Sequence, residues 1–354
     1  GGGGAEETKV LDYPLQQRRL LPLLASAYAF ACAGKYMVGV YADLQAQLAR
    51  RDFTSLPEVH AISSGLKALT TMVTAEGIEE CRKLCGGHGY LMCSGIPELF
   101  TAYVPACTYE GDNYVLMQQV ARYLLKAAAM VAGGKKPRGT AAYMRFALLS
   151  RSKCDADSSH DMMDPDVLIA AAQARAAGLT VAAAAELQSR GGKDSDGPDG
   201  DAPASPSWDL TAPALVRAAR AHCELLVMTT FAEAAKAASG SIKPSLEGLC
   251  LLYCLTTLEA AAGDLLELGH FAPRHVGMVR GAVTTLLGAV RRDAVPLVDA
   301  FDFSDNYLNS ALGRKDGQVY QALWDRAQAE PLNQRQVADG IEEHLRPLIS
   351  GAGA

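Results

Sequence analysis

The sequence predicts an all-α protein in which two helical bundle domains are joined by a flexible connector. Apolar residues recur at three- and four-residue steps over long runs, no run alternates as a half-buried strand would, and caps and glycine stops punctuate the chain at helix-length intervals. At roughly 150 residues per domain, 354 residues make about two domains with sizeable cores. Hydrophobic residues make up 49% and charged residues 20%, which excludes a disordered chain. The 33 basic and 39 acidic side chains give a net charge of −6, so no global field draws in nucleic acid. No stretch reaches the roughly 18 uninterrupted apolar residues of a membrane span, and no basic-then-apolar leader opens the chain.

Gly1–Gly4 reads as a linker or a truncation edge, and residues 1–8 as a flexible lead. From Leu15 to Arg50, Leu20, Leu23, Leu24, Ala27, Phe30 and Ala31 trace one expected buried helix face, with a kink or a late start at Pro22. Ser55-Leu-Pro-Glu58 has the spacing of a capping box and opens a helix to about Cys85, where Gly86-Gly87 stops it. Gly95, Pro97 and Pro105 make Tyr90–Tyr109 mostly loop and short turns. Asp112 or Asn113 caps the next helix, Val115–Val131, which closes a first bundle over residues 9–132. Residues 133–165 form the connector, beginning with Gly133-Gly134. Asp164-Pro165-Asp166 then caps the first helix of a second domain, 166–354. A Gly-, Pro-, Asp- and Ser-rich insert at about 189–207 is too polar to bury a core, and further caps are expected at Asp209, Ser245 and Asp302.

Nine cysteines contain the i,i+4 pairs Cys81/Cys85 and Cys250/Cys254 but no C-x-x-C. Helical i,i+4 pairs suit small core residues better than disulfides, and the odd count favours reduced thiols. Cys81, Cys85 and His88 lack a second ligand pair at zinc spacing, so buried structural thiols, and no metal, are expected. Met72, Met92 and Met117 read as core filler. His222, His270, His275 and His344 share no evident site, and Arg314 and Asp316 suit a structural ion pair.

The segment Glu80–Lys126 is the densest in chemistry. The Gly-Gly-His-Gly turn exposes backbone N–H groups with no Cβ in the way, and His88 within it either touches a ligand or bonds the local backbone. Glu110 stands near Tyr103, Val104, Tyr109 and Val115 in sequence. Desolvated among them, its carboxylate would gain proton affinity and serve as a base. The competing reading makes Glu110 a cap for the following helix.

Cys85–Tyr90 (CGGHGY) and Thr108–Asn113 (TYEGDN), at this separation, resemble the active-site region of the peroxisomal acyl-CoA oxidases, members of the acyl-CoA dehydrogenase superfamily. Leu11-Asp-Tyr13 with Gln16 and Gln17, and the tail from Ala300-Phe-Asp through Leu312-Gly-Arg, Asp316-Gly-Gln-Val-Tyr and Pro331-Leu-Asn, resemble the family as well. The resemblance spans about residues 9–349. It implies that the first bundle is like the C-terminal four-helix domain of acyl-CoA dehydrogenases and that the second is the oxidases' additional helical domain. It also implies FAD as cofactor and fatty acyl-CoA and O2 as substrates. The reaction is the first step of peroxisomal fatty acid β-oxidation: a base takes a C2 proton, hydride leaves C3, and trans-2-enoyl-CoA and hydrogen peroxide result. By resemblance Glu110 is that base, and its backbone N–H helps bind the thioester oxygen. Gly86 and Gly87 meet the flavin of a partner subunit in a homodimer, and Gln17, Asp112 and Asn113 lie at cofactor-contacting positions.

Two departures stand out. Pro14 replaces the glutamine the family commonly has after Asp-Tyr, and the family's N-terminal helical and middle β-domains have no counterpart, so the resemblance covers only the C-terminal half. A non-catalytic helical remnant that kept the dimer surface is therefore the alternative to an oxidase. A dehydrogenase feeding a carrier flavoprotein is disfavoured by the second helical domain. The end of the chain, Gly351–Ala354, lacks a Ser-Lys-Leu type of address, so a peroxisomal location rests on the family alone.

Overall fold

The computed structural model describes residues 7–147, 153–193, 197 and 205–351. The Gly1–Gly4 lead, most of the 189–207 insert and residues 352–354 lie outside them. Among the described residues there is no β-strand.

The first helix, α1, runs Pro14–Ala49 and begins at its own N1 proline, whose locked φ suits that position. Pro22 lies inside it, so the late start does not occur; the Ser26 hydroxyl donates to the Pro22 carbonyl at 2.8 Å. The buried face also differs from the expected one. Leu21, Ala25, Ala29 and Ala33 are buried, whereas Leu20, Leu23, Leu24 and Phe30 are half-buried and Ala27 and Ala31 exposed. Small residues at four-residue steps admit neighbouring helices closely, and the larger side chains flank that seam.

Helix α2 spans Leu56–Leu84, close to the expected end. Ser55 does not cap it: its backbone is already helical, and Glu58 turns away to accept a hydrogen bond from the Thr140 N–H at 2.5 Å. After the short α3 (Gly86–Tyr90), the expected short turns of Tyr90–Tyr109 are present as two 3₁₀ turns, but between them the chain forms a helix, α4 (Ile96–Tyr103), and not loop. Prolines at N1 or N2 start helices here more than they break them. Helix α5 follows at Asn113–Ala132. The described part of the link to the second half, which includes the short α6 (Met144–Ala147), is packed: Ala141, Tyr143, Met144, Ala156 and Met162 are buried.

Beyond it come α7 (Pro165–Ser189), α8 (Pro206–Ala237), α9 (Lys243–Ala260), α10 (Ala262–Glu267) and α11 (Pro273–Asp299). Asp164 caps α7 as expected, through the Asp166 N–H at 2.9 Å. The other three expected caps are displaced. Ser205 caps α8 four residues before Asp209, and Ser245 lies inside the first turn of α9, bonded to Asp293. Asp302 has φ +53, and Ser304 caps the following helix, α12 (Asp305–Leu308). The tail continues with α13 (Val319–Ala329) and α14 (Arg346–Ile349). Arg314 and Asp316 form the expected ion pair.

Buried residues of both halves form one continuous apolar cluster. Helix α1 is tied to the second half by the Arg18–Glu259 ion pair and by the Tyr28 hydroxyl on the Leu297 carbonyl at 2.8 Å, and the 3₁₀ turn before it by Arg291 on Asp12 at 2.8 Å. Arg175 of α7 lies buried between Glu224 of α8 and Asp264 of α10, its Nε 2.7 Å from the latter. Helices α1 and α7 are long and apolar enough to cross a membrane by length and composition alone; half of the apolar window of α7 is already buried against its neighbours.

All nine cysteines are free. Cys250 and Cys254 are buried as expected, but Cys81 is half-buried and Cys85 exposed, because the helix ends between them and the chain there meets solvent. Met117 is buried, whereas Met92, on a 3₁₀ turn, is 66% exposed. His270 and His275 are drawn together by Phe271, whose ring lies 5.8 and 5.5 Å from theirs.

Helices α2, α5 and α8 meet at Gly65, where an added Cβ would stand 2.4 Å from the Cys223 sulfur and 3.1 Å from Val120. Gly65→Ala is expected to lower the unfolding free energy by about 1–2 kcal/mol in urea titrations, overpacking outweighing the gain in helix propensity. His222 is fully buried against Tyr143, 3.2 Å from its hydroxyl, and burial pulls its pKa down to about 4. The unfolded chain binds that proton from about pH 6.5 downward, while the folded chain resists it until about pH 4. Stability should therefore be full above about pH 6.5 and fall as the pH drops toward 4, and His222→Phe should flatten that part of the curve relative to the parent.

Candidate active site

The seven residues Cys107–Asn113 turn the chain from the 3₁₀ turn Val104–Cys107 into α5. Thr108 and Tyr109 donate their N–H groups to the Pro105 carbonyl at 2.9 and 3.0 Å. Glu110 and Gly111 then both take positive φ, +56° and +101°. Such a conformation strains a non-glycine residue, and a Cβ on Gly111 would meet Leu116 at 2.9 Å. Asp112 is the cap of α5, accepting from the Tyr114 and Val115 N–H groups at 2.9 and 3.4 Å. Glu110 thus does not cap the helix, which removes the structural reading of that residue.

The desolvated surroundings expected for Glu110 are not supplied within this chain. Glu110 is exposed, Tyr109, Val104 and Val115 are 53%, 38% and 47% exposed, and Tyr103 is half-buried. Nothing among the described residues roofs the turn. Glu110 accepts no hydrogen bond and forms no ion pair among the described residues. Behind the turn the polar groups are well paired. Lys67 Nζ donates to the Gly111 carbonyl at 2.6 Å and to Asn113 Oδ1 at 2.9 Å, and the Asn113 amide donates to Thr71 Oγ1 at 3.0 Å. Asn113 is buried, so its side chain holds α5 onto α2.

The diglycine turn is a separate place. Gly86 (φ +59°) breaks the helix after Leu84, and both Gly86 and Gly87 are exposed with open space where a Cβ would stand. Gln16 donates to the Leu84 carbonyl at 3.4 Å and Arg19 pairs with Glu80, so the start of α1 lies against the end of α2. Gln17 sits in that corner and donates to the Leu11 carbonyl at 3.1 Å. Pro14, the family departure, opens α1 there. From Lys67, beneath the Glu110 turn, to Leu84 runs seventeen residues of α2, about 25 Å of helix. The structure therefore sets Gln16, next to Gln17 in the chain, against the helix end that carries the diglycine turn, and keeps Glu110 with Asp112 and Asn113 at a second station along the same helix.

His88 faces a groove of about 720 Å³ with Leu91, Cys93, Leu323, Arg326 and Asn333. Here the tail is pinned. Arg326 donates to the Cys93 carbonyl at 2.9 Å and to Asn309 Oδ1 at 3.1 Å, and the Ala311 N–H donates to the same Cys93 carbonyl at 2.8 Å. The family-like tail thus supports the segment that follows the diglycine turn.

Residues 2–125 match the family model described as acyl-CoA oxidase, C-alpha1 domain, and residues 164–350 match that described as acyl-CoA oxidase. The chain belongs to the acyl-CoA oxidase family. It is 46% identical over 349 residues to peroxisomal acyl-coenzyme A oxidase 1 of Arabidopsis thaliana, covering 98% of this chain and 51% of the relative. The solved Arabidopsis thaliana acyl-CoA oxidase 1 superposes with a TM-score of 0.91 at 45% identity over 99% of this chain and 52% of that one. Caenorhabditis elegans acyl-CoA oxidase-2, solved with FAD, ascaroside-CoA and ATP, gives a TM-score of 0.88 at 31% identity over 99% of this chain and 51% of that one. The chain spans about half the length of the relatives it matches.

Lys67, Thr71 and Arg326 escaped the sequence reading because each acts on a segment more than 40 residues away. Asp112 and Asn113, expected at cofactor-contacting positions, are both engaged in holding α5. Asp112→Ala is expected to lower the unfolding free energy by about 1 kcal/mol by chemical denaturation, the usual worth of an N-cap.

Proposed function

We propose that this chain forms the C-terminal part of an FAD-dependent acyl-CoA oxidase, with Glu110 as the base. The observation that carries the reading is an acid held in a strained backbone, exposed and unpaired, in a turn whose capping is done by its neighbour. Strain of this kind persists where a function requires the orientation it gives. Glu110 accepts the C2 proton of a saturated fatty acyl-CoA, and its backbone N–H donates to the thioester oxygen as negative charge develops there. FAD, when bound, would supply the acceptor for the C3 hydride and the route of its two electrons to O2; with the hydride's proton and the one Glu110 takes from C2, the products balance as trans-2-enoyl-CoA and hydrogen peroxide. The rest of the oxidase length covers the Glu110 turn, excludes water and supplies the desolvation this chain lacks.

The exposed Gly86–Gly87 turn suits close approach of a flat cofactor, since no Cβ and no neighbouring atom occupies the space above it. Gln17 stands in the same corner. The roughly 25 Å of α2 between that corner and Lys67, beneath the Glu110 turn, supports a homodimer in which the diglycine turn of one subunit serves the FAD beside the other subunit's acid. Asp112 and Asn113 act on FAD through the backbone they hold. The peroxisomal names of the relatives support a peroxisomal site of action, in the first step of fatty acid β-oxidation.

The exposure of Glu110 favours a second reading for this chain by itself: a non-catalytic helical protein that retains the dimer surface. In the FAD-loaded full-length enzyme that carries this chain, Glu110→Gln is expected to slow flavin reduction by acyl-CoA about 10³-fold or more, with FAD absorbance and melting temperature unchanged. Undiminished reduction would remove Glu110 as the base. Absence of FAD binding by the chain alone, followed by absorbance, would support the second reading for the isolated half.

A further inference from the structure

The Glu110–Gly111 pair needs an external hold. Glycine at φ +101° is conformationally soft, and a glutamate at φ +56° leaves that region unless its neighbours prevent it. The upstream end is tied by the Pro105 carbonyl and the downstream end by the Asp112 cap. Between them, the Gly111 carbonyl accepts from Lys67 Nζ at 2.6 Å, a charge-assisted bond from the middle of α2. The same ammonium donates to Asn113 Oδ1 at 2.9 Å, and Asn113 is buried and bonded to Thr71. Lys67 is thereby backed by a rigid pair of helices, and its stem lines a groove of about 420 Å³ with Phe30, Met37 and Tyr103.

We infer that Lys67 is a positioning residue for the reaction: by holding the Gly111 carbonyl it sets the direction in which the Glu110 carboxylate and backbone N–H face the thioester. The inference rests on the reading of Glu110 as the base. Lys67 need not touch substrate for this. A displacement of about 1 Å of a reacting group is enough to slow a step about 10²-fold, and the turn has no second side-chain tie from α2 to its own backbone among the bonds of the described residues.

The test uses the FAD-loaded full-length enzyme that carries this chain, mixed anaerobically with a saturated acyl-CoA. Lys67→Met is expected to slow flavin reduction about 10- to 100-fold while FAD content, melting temperature and acyl-CoA Kd stay near those of the parent. Lys67→Arg, which keeps a charged donor, should recover most of the rate. Should Lys67→Met not fold, Lys67→Gln is read the same way. Reduction at the parental rate, or a loss of rate that merely follows loss of FAD and of folded protein in both variants, would overturn the inference. Glu110→Gln measured in parallel separates the two claims. A slow Glu110→Gln with a normal Lys67→Met removes only the role of Lys67, whereas a fast Glu110→Gln removes the base reading on which that role rests.

Discussion

The arrangement depends on one backbone constraint, the left-handed turn at Glu110–Gly111. The chain must leave a 3₁₀ turn and enter α5 within a few residues, and α5 must lie along α2 with Asn113 buried between them. Only a sharp reversal satisfies both, and its consequence is that Glu110 points away from the packed side. Asp112 takes over the capping that a single acid at this boundary would otherwise perform. Two acids separated by a single glycine therefore have different fates for a local geometric reason: one faces the helix N-terminus, where its charge is useful to the fold, and the other faces outward.

Helix α2 acts as the ruler of the molecule. Its middle carries Lys67 and Thr71 beneath the Glu110 turn, and its end carries the diglycine turn beside the start of α1. The two motifs that resemble the oxidases are thereby kept apart within one chain, a separation that a local sequence pattern does not reveal. Along the same helix, Gly65 lets α5 and α8 close in, so the ruler is also the axis of the core.

The two halves are less independent than a bundle–linker–bundle description implies. Residues such as Tyr143 and Met144 in the link are buried, α1 is bonded to α9 and α11, and Arg175 joins α7, α8 and α10 through a buried ion network. Such a network adds little net stability beyond an apolar equivalent, but losing one member leaves a buried charge unpaired. Its weight falls on the relative placement of the helices. The tail extends this logic by bonding Arg326 to the segment after the diglycine turn.

Helix content, the ends of α2 and α5, the start of α7 at the Asp164 cap and the family were legible in the sequence. Each depends on residues close together in the chain: apolar spacing, a cap, a glycine stop, a short motif. What escaped depended on distant partners. Glu58 fits a capping box by spacing but finds the Thr140 N–H, 82 residues away, the better donor. The buried face of α1 was misjudged because large apolar residues mark hydrophobicity, whereas close helix contact selects small ones, here Ala25, Ala29 and Ala33. Glu110 stands out in the sequence by its motif, yet its exposure, its left-handed backbone and the Lys67 bond to the neighbouring Gly111 carbonyl belong to the tertiary structure. Local pattern determines which conformations are cheap; burial and long-range bonds decide which of them is occupied and what each side chain then faces.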